Sequence, residues 1–466
     1  MSSLNRFVTL GEISERIGDG LHGTPEYSKN GEYFFINGNN LIDGEIILNE
    51  KTKSCSESEY DKYKKNLSNN TILISINGTI GNLAFYKGEN VILGKSACYI
   101  NIKSDVDKNF IYYALKSSKF QNYIKSQATG STIKNVSLKL LRDYVLELPD
   151  IIQQKRISKI LSNLDDKIRI NNQINQTLES IAQAIFKSWF IDFDPVRAKM
   201  AAKQEGQDPE LAAMCTISGK SEEELQQMAK EDFAELQATA ALFPDELVES
   251  ELGEVPKGWE VKRFEDLLDT LESGTRPKGG VSGISEGMPS VGAENILGLG
   301  IYNYGKEKFV PYSFFEKMKK GKVQDYDVLL YKDGGKPGEF KPRVSMFGKG
   351  FPYEKFSINE HVFRIRSNKL GQFFLYFKIK SPDILSQLAS KGAKAAIPGI
   401  NQNDVKSLDI IYPNNEVLDK FNFLVLNYVD LILKNSVESK CLAKLRDGLL
   451  PKLLSGEVAL GGVIDA

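Results

Sequence analysis

The stretch LESIAQAIFKSWF at residues 178–190 decides the architecture, because the stretch LAKLRDGLLPKLL at residues 442–454 repeats its apolar pattern 264 residues later. The aligned pairs are Leu178 with Leu442, Ile181 with Leu445, Ile185 with Leu449, Phe186 with Leu450, Trp189 with Leu453 and Phe190 with Leu454. An apolar pattern shared over this length indicates an internal duplication.

Both stretches belong to longer apolar stripes whose steps alternate between three and four residues, the spacing of a coiled-coil seam. The predicted helix-pairing residues are Ile157, Leu161, Leu164, Ile168, Leu178, Ile181 and Ile185 in the first helix, and Phe421, Val425, Tyr428, Ile432, Leu442, Leu445 and Leu449 in the second. Asn171 and Asn435 interrupt the stripes at aligned positions, and a buried asparagine in a seam often fixes the register. The sequence therefore predicts an antiparallel pair of helices, each about 35 residues and about 50 Å long at about 1.5 Å per residue.

Four apolar residues near the first seam do not fit a pair of helices alone. Ile174, Phe186, Trp189 and Phe190 lie partly off the two-helix seam. We expect helices of a partner protein to pack against them. The helical pair itself is predicted to act as a rigid spacer between the globules, and a helical pair that only joins two domains is the alternative.

The repeat continues upstream of each helix. A strand runs into a polar, glycine-rich turn at residues 72–81 and again at residues 328–338, and a short apolar strand ends at Pro149 and again at Pro413. The predicted fold class is α/β, with two similar α/β globules separated by two long antiparallel coiled-coil helices and an internal pseudo-two-fold repeat. The predicted segments are a globule over 1–150, a helix over 151–195, an acidic linker over 196–256, a globule over 257–413, a helix over 414–455 and a C-terminal tail over 456–466.

The formal net charge of -1 conceals an uneven distribution. Residues 201–256 carry 3 basic and 14 acidic side chains, whereas residues 257–412 carry 25 basic and 18 acidic ones. Residues 1–150 are nearly balanced, with 18 basic and 17 acidic side chains. Because the local field rather than the total charge attracts phosphates, a nucleic-acid partner remains open.

Several classes of function are disfavoured by missing motifs. The segment Gly94-Lys95-Ser96 resembles the end of a phosphate-binding loop, but Glu89 stands where that loop needs glycine, and the following residues predict a strand instead of a helix. Two histidines, His22 and His361, leave no zinc-protease motif and little scope for a histidine-based catalytic triad. The motif with which an amino-methyltransferase grips its flipped adenine is also missing, so we expect no catalytic residues and no metal site in this chain.

The remaining cues concern the compartment. The four cysteines are far apart and the chain has no apolar run of about 18 residues, which disfavours a disulfide framework and a membrane span. The first residues, Met1 to Arg6, lack the apolar core of a signal peptide. We therefore expect the protein in the cytoplasm.

Polar and basic loops carry the candidate chemistry, because arginine and lysine read guanine, asparagine and glutamine read adenine, and serine and threonine adapt to either. The candidates for DNA contact in the first globule are His22, Thr24, Asn37, Asn39, Asn40, Asn77, Thr79, Ser131, Thr132 and Lys134. Those in the second globule are Thr275, Arg276, Lys278, Asn295, Lys332, Lys336, Lys341, Arg343, Lys391 and Lys394. A single loop of this kind is usually a solvated turn, but these loops recur at equivalent places in both halves.

With this order of segments, the chain resembles the specificity subunits of type I restriction–modification systems over nearly its whole length. The resemblance extends to Trp189-Phe190-Ile191-Asp192-Phe193-Asp194-Pro195-Val196-Arg197 after the first helix. It also covers Phe243-Pro244-Asp245, Ser250-Glu251-Leu252-Gly253 and Val255-Pro256-Lys257-Gly258-Trp259 before the second globule.

The resemblance implies that each globule is a target-recognition domain that reads one half of a split, asymmetric site in double-stranded DNA. It implies that the helices fix the gap and bind two methylation subunits, and that two restriction subunits complete the complex. S-adenosylmethionine, ATP and Mg²⁺ would belong to those partners. The alternatives are a helical protein–protein adaptor without sequence-specific DNA binding, a nuclease or methyltransferase of unusual sequence, and a duplicated solute-binding protein.

Overall fold

The computed structural model describes residues 6–130, 134–336, 338–394 and 398–458. The chain divides into two compact units: unit 1 comprises Met1–Ile168 and Cys441–Ala466, and unit 2 comprises Arg169–Lys440. Each unit therefore holds one globule together with a part of each long helix. The candidates Ser131 and Thr132 lie outside the described residues.

Unit 1 mixes short strands with helices. Its strands are β1 (Arg6–Thr9), β2 (Ser14–Asp19), β3 (Tyr33–Ile36), β4 (Leu41–Ile42), β5 (Glu45–Ile46), β6 (Lys53–Cys55), β7 (Thr71–Ser75), β8 (Leu83–Phe85), β9 (Val91–Leu93), β10 (Ala97–Ile102) and β11 (Val145–Leu148). Its helices are α1 (Glu57–Tyr63), α2 (Lys108–Lys116), α3 (Ser118–Gln127), α4 (Leu138–Arg142) and the first part of α5 (Ile151–Phe190). The side chains of Asp107 and Ser117 accept hydrogen bonds from backbone N–H groups and so cap α2 and α3.

Two sheets and two strand pairs, β1 with β11 and β4 with β5, organise the globule of unit 1. The larger sheet has the order β2-β10-β7-β8, and the smaller has the order β6-β3-β9, in which β3 and β9 run parallel. Every residue of β7 and of β10 is buried, as expected for the central strands of a sheet that is covered on both faces. The antiparallel pair β1 and β11 brings the start of the globule to its end, immediately before α5.

Unit 2 repeats this plan and adds an insertion. Its strands are β12 (Leu247–Ser250), β13 (Gly253–Pro256), β14 (Glu260–Arg263), β15 (Thr270–Ser273), β16 (Met288–Val291), β17 (Lys308–Val310), β18 (Val328–Tyr331), β19 (Val344–Met346), β20 (Ser357–Ile358), β21 (Val362–Arg366) and β22 (Asp409–Tyr412). Its helices are α6 (Asp194–Glu205), α7 (Pro209–Ser218), α8 (Glu222–Gln226), α9 (Lys230–Ala241), α10 (Phe264–Leu267), α11 (Tyr312–Lys317), α12 (Gln372–Lys380), α13 (Pro382–Ala393), α14 (Gln402–Lys406) and most of α15 (Asn415–Leu454).

The four-stranded and three-stranded sheets of the two units match strand for strand, whereas the pair β4 and β5 of unit 1 has no counterpart among the strands described in the globule of unit 2. The order β15-β21-β18-β19 reproduces β2-β10-β7-β8, and β17-β16-β20 reproduces β6-β3-β9, including the parallel pair. The pair β14 and β22 corresponds to β1 and β11. The predicted internal repeat of an α/β globule is confirmed by this topology.

The two long helices pair antiparallel. In unit 2, Asn171 bonds to residues 435, 438 and 439 of α15, whereas Asn175, one turn further along α5, bonds to residues 432 and 436. In unit 1, Asp165 of α5 forms an ion pair with Arg446 of α15. Each helix has 40 residues, so each is about 60 Å long at about 1.5 Å per residue, longer than the sequence pattern predicts.

Most of the predicted seam is buried or half-buried. Ile157, Leu161, Phe421, Val425 and Ile432 are buried, and Leu164, Ile168, Leu178, Ile185, Tyr428, Leu442 and Leu449 are half-buried. The prediction is wrong for Ile181 and Leu445, which are 41% and 50% exposed. The globule of unit 2 packs on α5 through neighbouring positions instead, where Ala182 and Phe186 are buried.

The aromatic end of α5 is covered by the chain itself. Phe186 lies 5.5 Å from Phe374 and 5.8 Å from Phe421 between ring centroids, and Trp189 lies 5.1 Å from Phe243. The expectation that partner helices cover Phe186, Trp189 and Phe190 is therefore wrong. Ile174, by contrast, is 39% exposed.

The segment predicted as an acidic linker folds into helices α6 to α9 and a hairpin of β12 and β13. Asp208 caps α7, and Ser221 and Glu224 form a capping box at α8, so acidic residues stabilise the starts of these helices. Lys199 is buried and donates to Glu210 and to the carbonyl oxygen of Phe243. Ala213, Met214, Leu225 and Ala240 form a small separate core.

Candidate DNA-reading faces

In unit 1, backbone hydrogen bonds draw the candidate loops together around the turn between β9 and β10. The N–H of Leu21 donates to the carbonyl oxygen of Leu93 (2.7 Å), and the N–H of Gly94 donates to that of Ile36 (2.8 Å). On the other side, the N–H of Ile76 donates to the carbonyl oxygen of Ser96 (3.0 Å). The loops that begin near residues 20, 37 and 77 therefore meet at one face of the globule.

A further loop joins this face through Asn135. Its backbone forms bridges with Asn77 and with Thr129, which ties the loop over residues 129–135 to the end of β7. Lys134 lies in this loop and is exposed.

Glycine permits the close approach of these loops. A side chain on Gly94 would put its Cβ 2.3 Å from Oδ1 of Asn37, and one on Gly20 would collide with the carbonyl oxygen of Leu93 at 2.2 Å. The two segments can touch only because both positions lack a side chain.

The candidates of unit 1 differ in how they are placed. Those that face solvent are His22, Thr24, Asn39, Thr79 and Lys134, whereas Asn37 and Asn77 are half-buried. Oδ1 of Asn37 accepts a hydrogen bond from the hydroxyl of Ser96 (2.9 Å), so this side chain holds two loops together. Asn40 is only 6% exposed, and its amide donates to the carbonyl oxygen of Ile47 (2.9 Å). Asn40 is therefore a structural residue and not part of the exposed face.

The face of unit 2 is assembled by equivalent bonds. The N–H of Asn359 donates to the carbonyl oxygen of Val291 (2.9 Å), and the N–H of Lys332 donates to that of His361 (3.0 Å). The N–H of Gly334 donates to the carbonyl oxygen of Pro398 (2.9 Å). These bonds bring the loops after β16, β18 and β20 together with the segment that follows α13.

Exposure again divides the candidates. Thr275, Arg276, Lys278, Lys336, Lys341 and Lys394 are exposed, and Lys332, Arg343 and Lys391 are half-buried. Asn295 is 1% exposed and occupies the place that Asn40 has in unit 1, at the end of the 3-10 turn after the paired strand. Asn40 and Asn295 are thus buried at equivalent positions, because each side chain points inward from the end of its 3-10 turn. Neither belongs to the exposed face of its unit.

The three half-buried basic candidates of unit 2 are engaged within the protein. Arg343 lies 4.7 Å above the ring of Tyr331 and donates to the carbonyl oxygen of Ala293 (2.7 Å). Burial raises the pKa of the Tyr331 hydroxyl, although Arg343 acts in the opposite direction. Lys391 donates to the hydroxyl of Ser407 (2.7 Å) and Lys332 donates to the carbonyl oxygen of Glu360 (3.0 Å).

The structure adds to the two faces three residues that the sequence analysis did not propose as DNA contacts: Lys95, Glu360 and His361. Lys95 is exposed at the centre of the unit 1 face. Glu360 pairs with Arg276 (2.9 Å) in unit 2, and His361 contacts both Glu360 and Asp333. The available signal was the segment Gly94-Lys95-Ser96, which resembles a nucleotide-binding motif; the strand β10 that follows it confirms that it is not the start of a helix.

The part of the chain that the structure describes contains no group of three or more histidine, cysteine, aspartate or glutamate side chains placed to hold a metal ion. No described helix combines the length and the apolar character that crossing a membrane requires. All four cysteines are free thiols.

A repeated α/β globule that carries a loop face and leads into a long paired helix defines a class of two-domain recognition proteins. The chain belongs to the family of type I restriction–modification DNA specificity domains, whose family model matches residues 3–180 and 256–438. Both matched regions begin at a globule and extend into the helix that follows it.

Individual relatives agree with this assignment. The chain is 32% identical to the specificity subunit of the type I restriction enzyme HindI of Haemophilus influenzae, over 75% of this chain and 77% of the relative. It is 26% identical to the MjaIX specificity subunit of Methanocaldococcus jannaschii, over 93% and 86% of the two chains. A crystal structure of a type I S subunit from M. genitalium shares the fold, with a TM-score of 0.52, 17% identity and coverage of 97% and 96%. The prediction of a type I specificity subunit is confirmed, and the comparisons give no support to the protein-only adaptor.

Proposed function

We propose that each globule reads one half of an asymmetric, bipartite site in double-stranded DNA with the loop face described above. The observation that carries this proposal is that unit 1 and unit 2 build the same face with equivalent backbone hydrogen bonds but place different side chains on it. A shared scaffold with different polar and basic side chains is what two readers of unlike base sequences require. The long helices then set the number of base pairs between the half-sites.

The helices also bind two methylation subunits in this proposal. Ile181 and Leu445 are aligned in the repeat and are both exposed, one in each unit. Exposed apolar side chains at equivalent positions suit two copies of one partner.

Two grooves at equivalent places in the repeat also support the binding of two methylation subunits by one chain. One groove in unit 2 is lined by Phe186, Phe190, Lys380 and Ser381, among other residues. A groove in unit 1 is lined by their repeat equivalents Leu450, Leu454, Lys116 and Ser117. Each groove lies between the end of a long helix and the corner of two globule helices, α2 and α3 or α12 and α13.

We assign the remaining parts of the reaction to partner subunits. S-adenosylmethionine would be bound by the methylation subunits, and ATP and Mg²⁺ by two restriction subunits, in the cytoplasm of a bacterium. This chain would supply the choice of DNA sequence without catalysing methyl transfer or cleavage. Family membership and the missing methyltransferase and nucleotide-binding motifs support this division.

The reconstituted complex tests the proposed function. The chain is co-expressed with its methylation subunits, and the DNA of the host is analysed by long-read sequencing for methylated adenine. We expect one bipartite motif, and we expect fluorescence-anisotropy titrations of duplex DNA to show an affinity that falls steeply with salt, because phosphate contacts release counterions. Methylation without any shared motif would contradict the proposal.

Subunit docking is tested separately with Ile181→Glu and Leu445→Glu. Each substitution should remove one of two methylation subunits from the complex, as measured by mass in solution, and the double variant should remove both. Ser180→Glu and Lys444→Glu are matched controls, because these exposed residues are also equivalent in the repeat. Unchanged mass for both Ile181→Glu and Leu445→Glu would exclude this docking surface.

A further inference from the structure

The turn between β9 and β10 in unit 1 has a structural equivalent in unit 2, between β20 and β21. The N–H of Gly94 donates to the carbonyl oxygen of Ile36, and the N–H of Asn359 donates in the same way to Val291. Both turns connect a parallel-paired strand of the smaller sheet to the central strand of the larger one.

The end of each turn is also held alike. The carbonyl oxygen of Ser96 accepts from Ile76, and that of His361 accepts from Lys332, in both cases at 3.0 Å. The middle residues, Lys95 and Glu360, are therefore at the same position of the fold. They carry opposite charges.

In unit 1 the middle residue of the turn, Lys95, is itself the positively charged side chain. Lys95 is exposed, whereas every residue of β9 and β10 on either side is buried. The Ser96 hydroxyl accepts from the N–H of Gly38 and donates to Oδ1 of Asn37, both at 2.9 Å, which fixes the turn against the neighbouring loop. A short turn held at both ends presents Lys95 from a rigid base.

In unit 2 the same position holds a carboxylate that faces the protein. Oε1 of Glu360 lies 2.9 Å from Nε of Arg276 and 3.4 Å from Nε2 of His361, and Oε2 is buried. Because both oxygens are turned away from solvent or paired, Glu360 is poorly placed to contact a base. The Arg276 side chain that it holds is 59% exposed.

We propose that this turn position supplies each face with the cation that reads a guanine: Lys95 reads it directly, and Glu360 acts as a positioning residue for Arg276, which reads it in the other half-site. Lysine and arginine are the side chains that recognise the O6 and N7 acceptors of guanine in the major groove. Fixing the guanidinium from one side leaves its remaining donors oriented. The inference rests on the proposed function, since it assigns bases within the two half-sites.

The Lys95→Met variant tests the first half of this inference in the complex assembled with methylation subunits. Binding is measured on duplex libraries in which one half-site at a time is randomised. We expect the preference for guanine at one position of one half-site to fall about tenfold or more, with the other half-site unchanged. Lys125→Met, an exposed lysine on α3, is the matched control.

A phosphate contact would behave differently. If Lys95→Met weakens binding uniformly across all sequences and lowers the salt dependence by about one counterion, Lys95 contacts the backbone and the inference is overturned.

The second half is tested with Glu360→Gln and Arg276→Met. Both should weaken the preference for guanine at the same position of the second half-site. Glu360→Asp, which keeps the carboxylate, should retain part of this preference if the ion pair orients Arg276. Thermal unfolding identifies a variant that has lost its fold, and exposed Arg276 makes Arg276→Met the safer of the two. An unchanged base preference for both variants would overturn the assignment. A wild-type complex without any bipartite preference would instead contradict the proposed function itself.

Discussion

Asn171 and Asn435, which are 264 residues apart in the chain, face each other in the helix pair, with Nδ2 of Asn171 3.5 Å from the carbonyl oxygen of Asn435. Asn171 also donates to the hydroxyl of Ser439 (3.4 Å), and Asn435 donates to Oδ1 of Asn175 (2.9 Å). Ser439 follows Asn175 by the same 264 residues, so the two bonds are equivalent in the repeat. This polar layer, which lies within unit 2, is therefore symmetric with respect to the repeat.

Replacing Asn435 with alanine should lower the midpoint of thermal unfolding. Asn435 is 7% exposed, and its loss would leave Oδ1 of Asn175 without this donor, at a cost of about 1 to 3 kcal/mol. Asn172→Ala is the control, because Asn172 is exposed on the same pair of helices. Equal midpoints for both variants, measured by differential scanning fluorimetry, would show that the layer contributes nothing to stability.

Phe421 and Phe423 provide a second test, of the packing between helix and globule. Phe421 is fully buried among Phe186, Phe190 and Phe374, whereas Phe423 is 62% exposed. We expect Phe421→Ala to destabilise unit 2 by about 3 to 5 kcal/mol through the lost burial and the cavity. Phe423→Ala should leave the chemical-denaturation midpoint nearly unchanged. A similar loss for both would mean that the aromatic cluster does not hold the globule to the helix.

An ion pair in unit 1 should make stability depend on pH. Burial raises the pKa of Asp165, but Lys116 and Arg446 more than offset it, so that the pKa is below the ordinary value. A lowered pKa in the folded state adds stability above the unfolded value of about 4, and this stability is lost as the pH falls through the folded-state pKa. The unfolding midpoint of the wild type should therefore drop more steeply below about pH 4 than that of Asp165→Asn.

Asp143→Asn is the control for this pH effect, since Asp143 is exposed in the same unit. Its midpoint should follow the wild-type curve. Identical curves for the wild type and Asp165→Asn would contradict the assignment.

The repeat and the helix pair were predictable because an apolar period over many turns is a strong local signal. The aligned asparagines Asn171 and Asn435, predicted to fix the register, do lie in the contact between the two helices. The exposure of Ile181 and Leu445 was not predictable, because it depends on which face of α5 the globule of unit 2 covers and which face of α15 the globule of unit 1 covers. Sequence spacing does not contain that information.

The loop faces were predictable only in outline. Asn40 and Asn295 have the residue type of a base reader, yet both are buried, because a short 3-10 turn directs them inward. Lys95 was missed for the opposite reason: a single lysine in a turn resembles any solvated lysine until the fold brings three loops around it. The folded insertion of α6 to α9 was hidden by its acidic composition, which is typical of linkers as well as of capped helices.

The helix pair should act as a ruler for the gap. Inserting one heptad after Asn172 and one after Ser436 preserves the bond of Asn171 to Ser439 on one side and that of Asn175 to Ile432 on the other, and gives up only the contact between Asn171 and the carbonyl oxygen of Asn435. Because the two inserted heptads lie side by side, they lengthen the helix pair by about 10 Å at about 1.5 Å per residue. This length corresponds to about three base pairs at about 3.4 Å each. Methylation mapping should show both half-sites unchanged and the gap longer by that amount. An unchanged gap in an active complex would show that the helices do not set it.

Insertion into one helix alone is the corresponding control. It shifts one apolar stripe against the other and breaks either the bond of Asn171 to Ser439 or the bonds of Asn175 to α15, so we expect loss of the folded complex in size-exclusion chromatography. A stable complex with a normal site would argue that the pairing register is unimportant.

The most direct measurement is long-read methylation sequencing of a strain in which residues 1–150 of this subunit have been replaced with the recognition domain of another type I specificity subunit. If two independent readers are joined by a paired-helix spacer, one half of the bipartite motif changes, and the other half and the gap stay as they were. A motif altered in both halves would show that the globules do not read DNA independently.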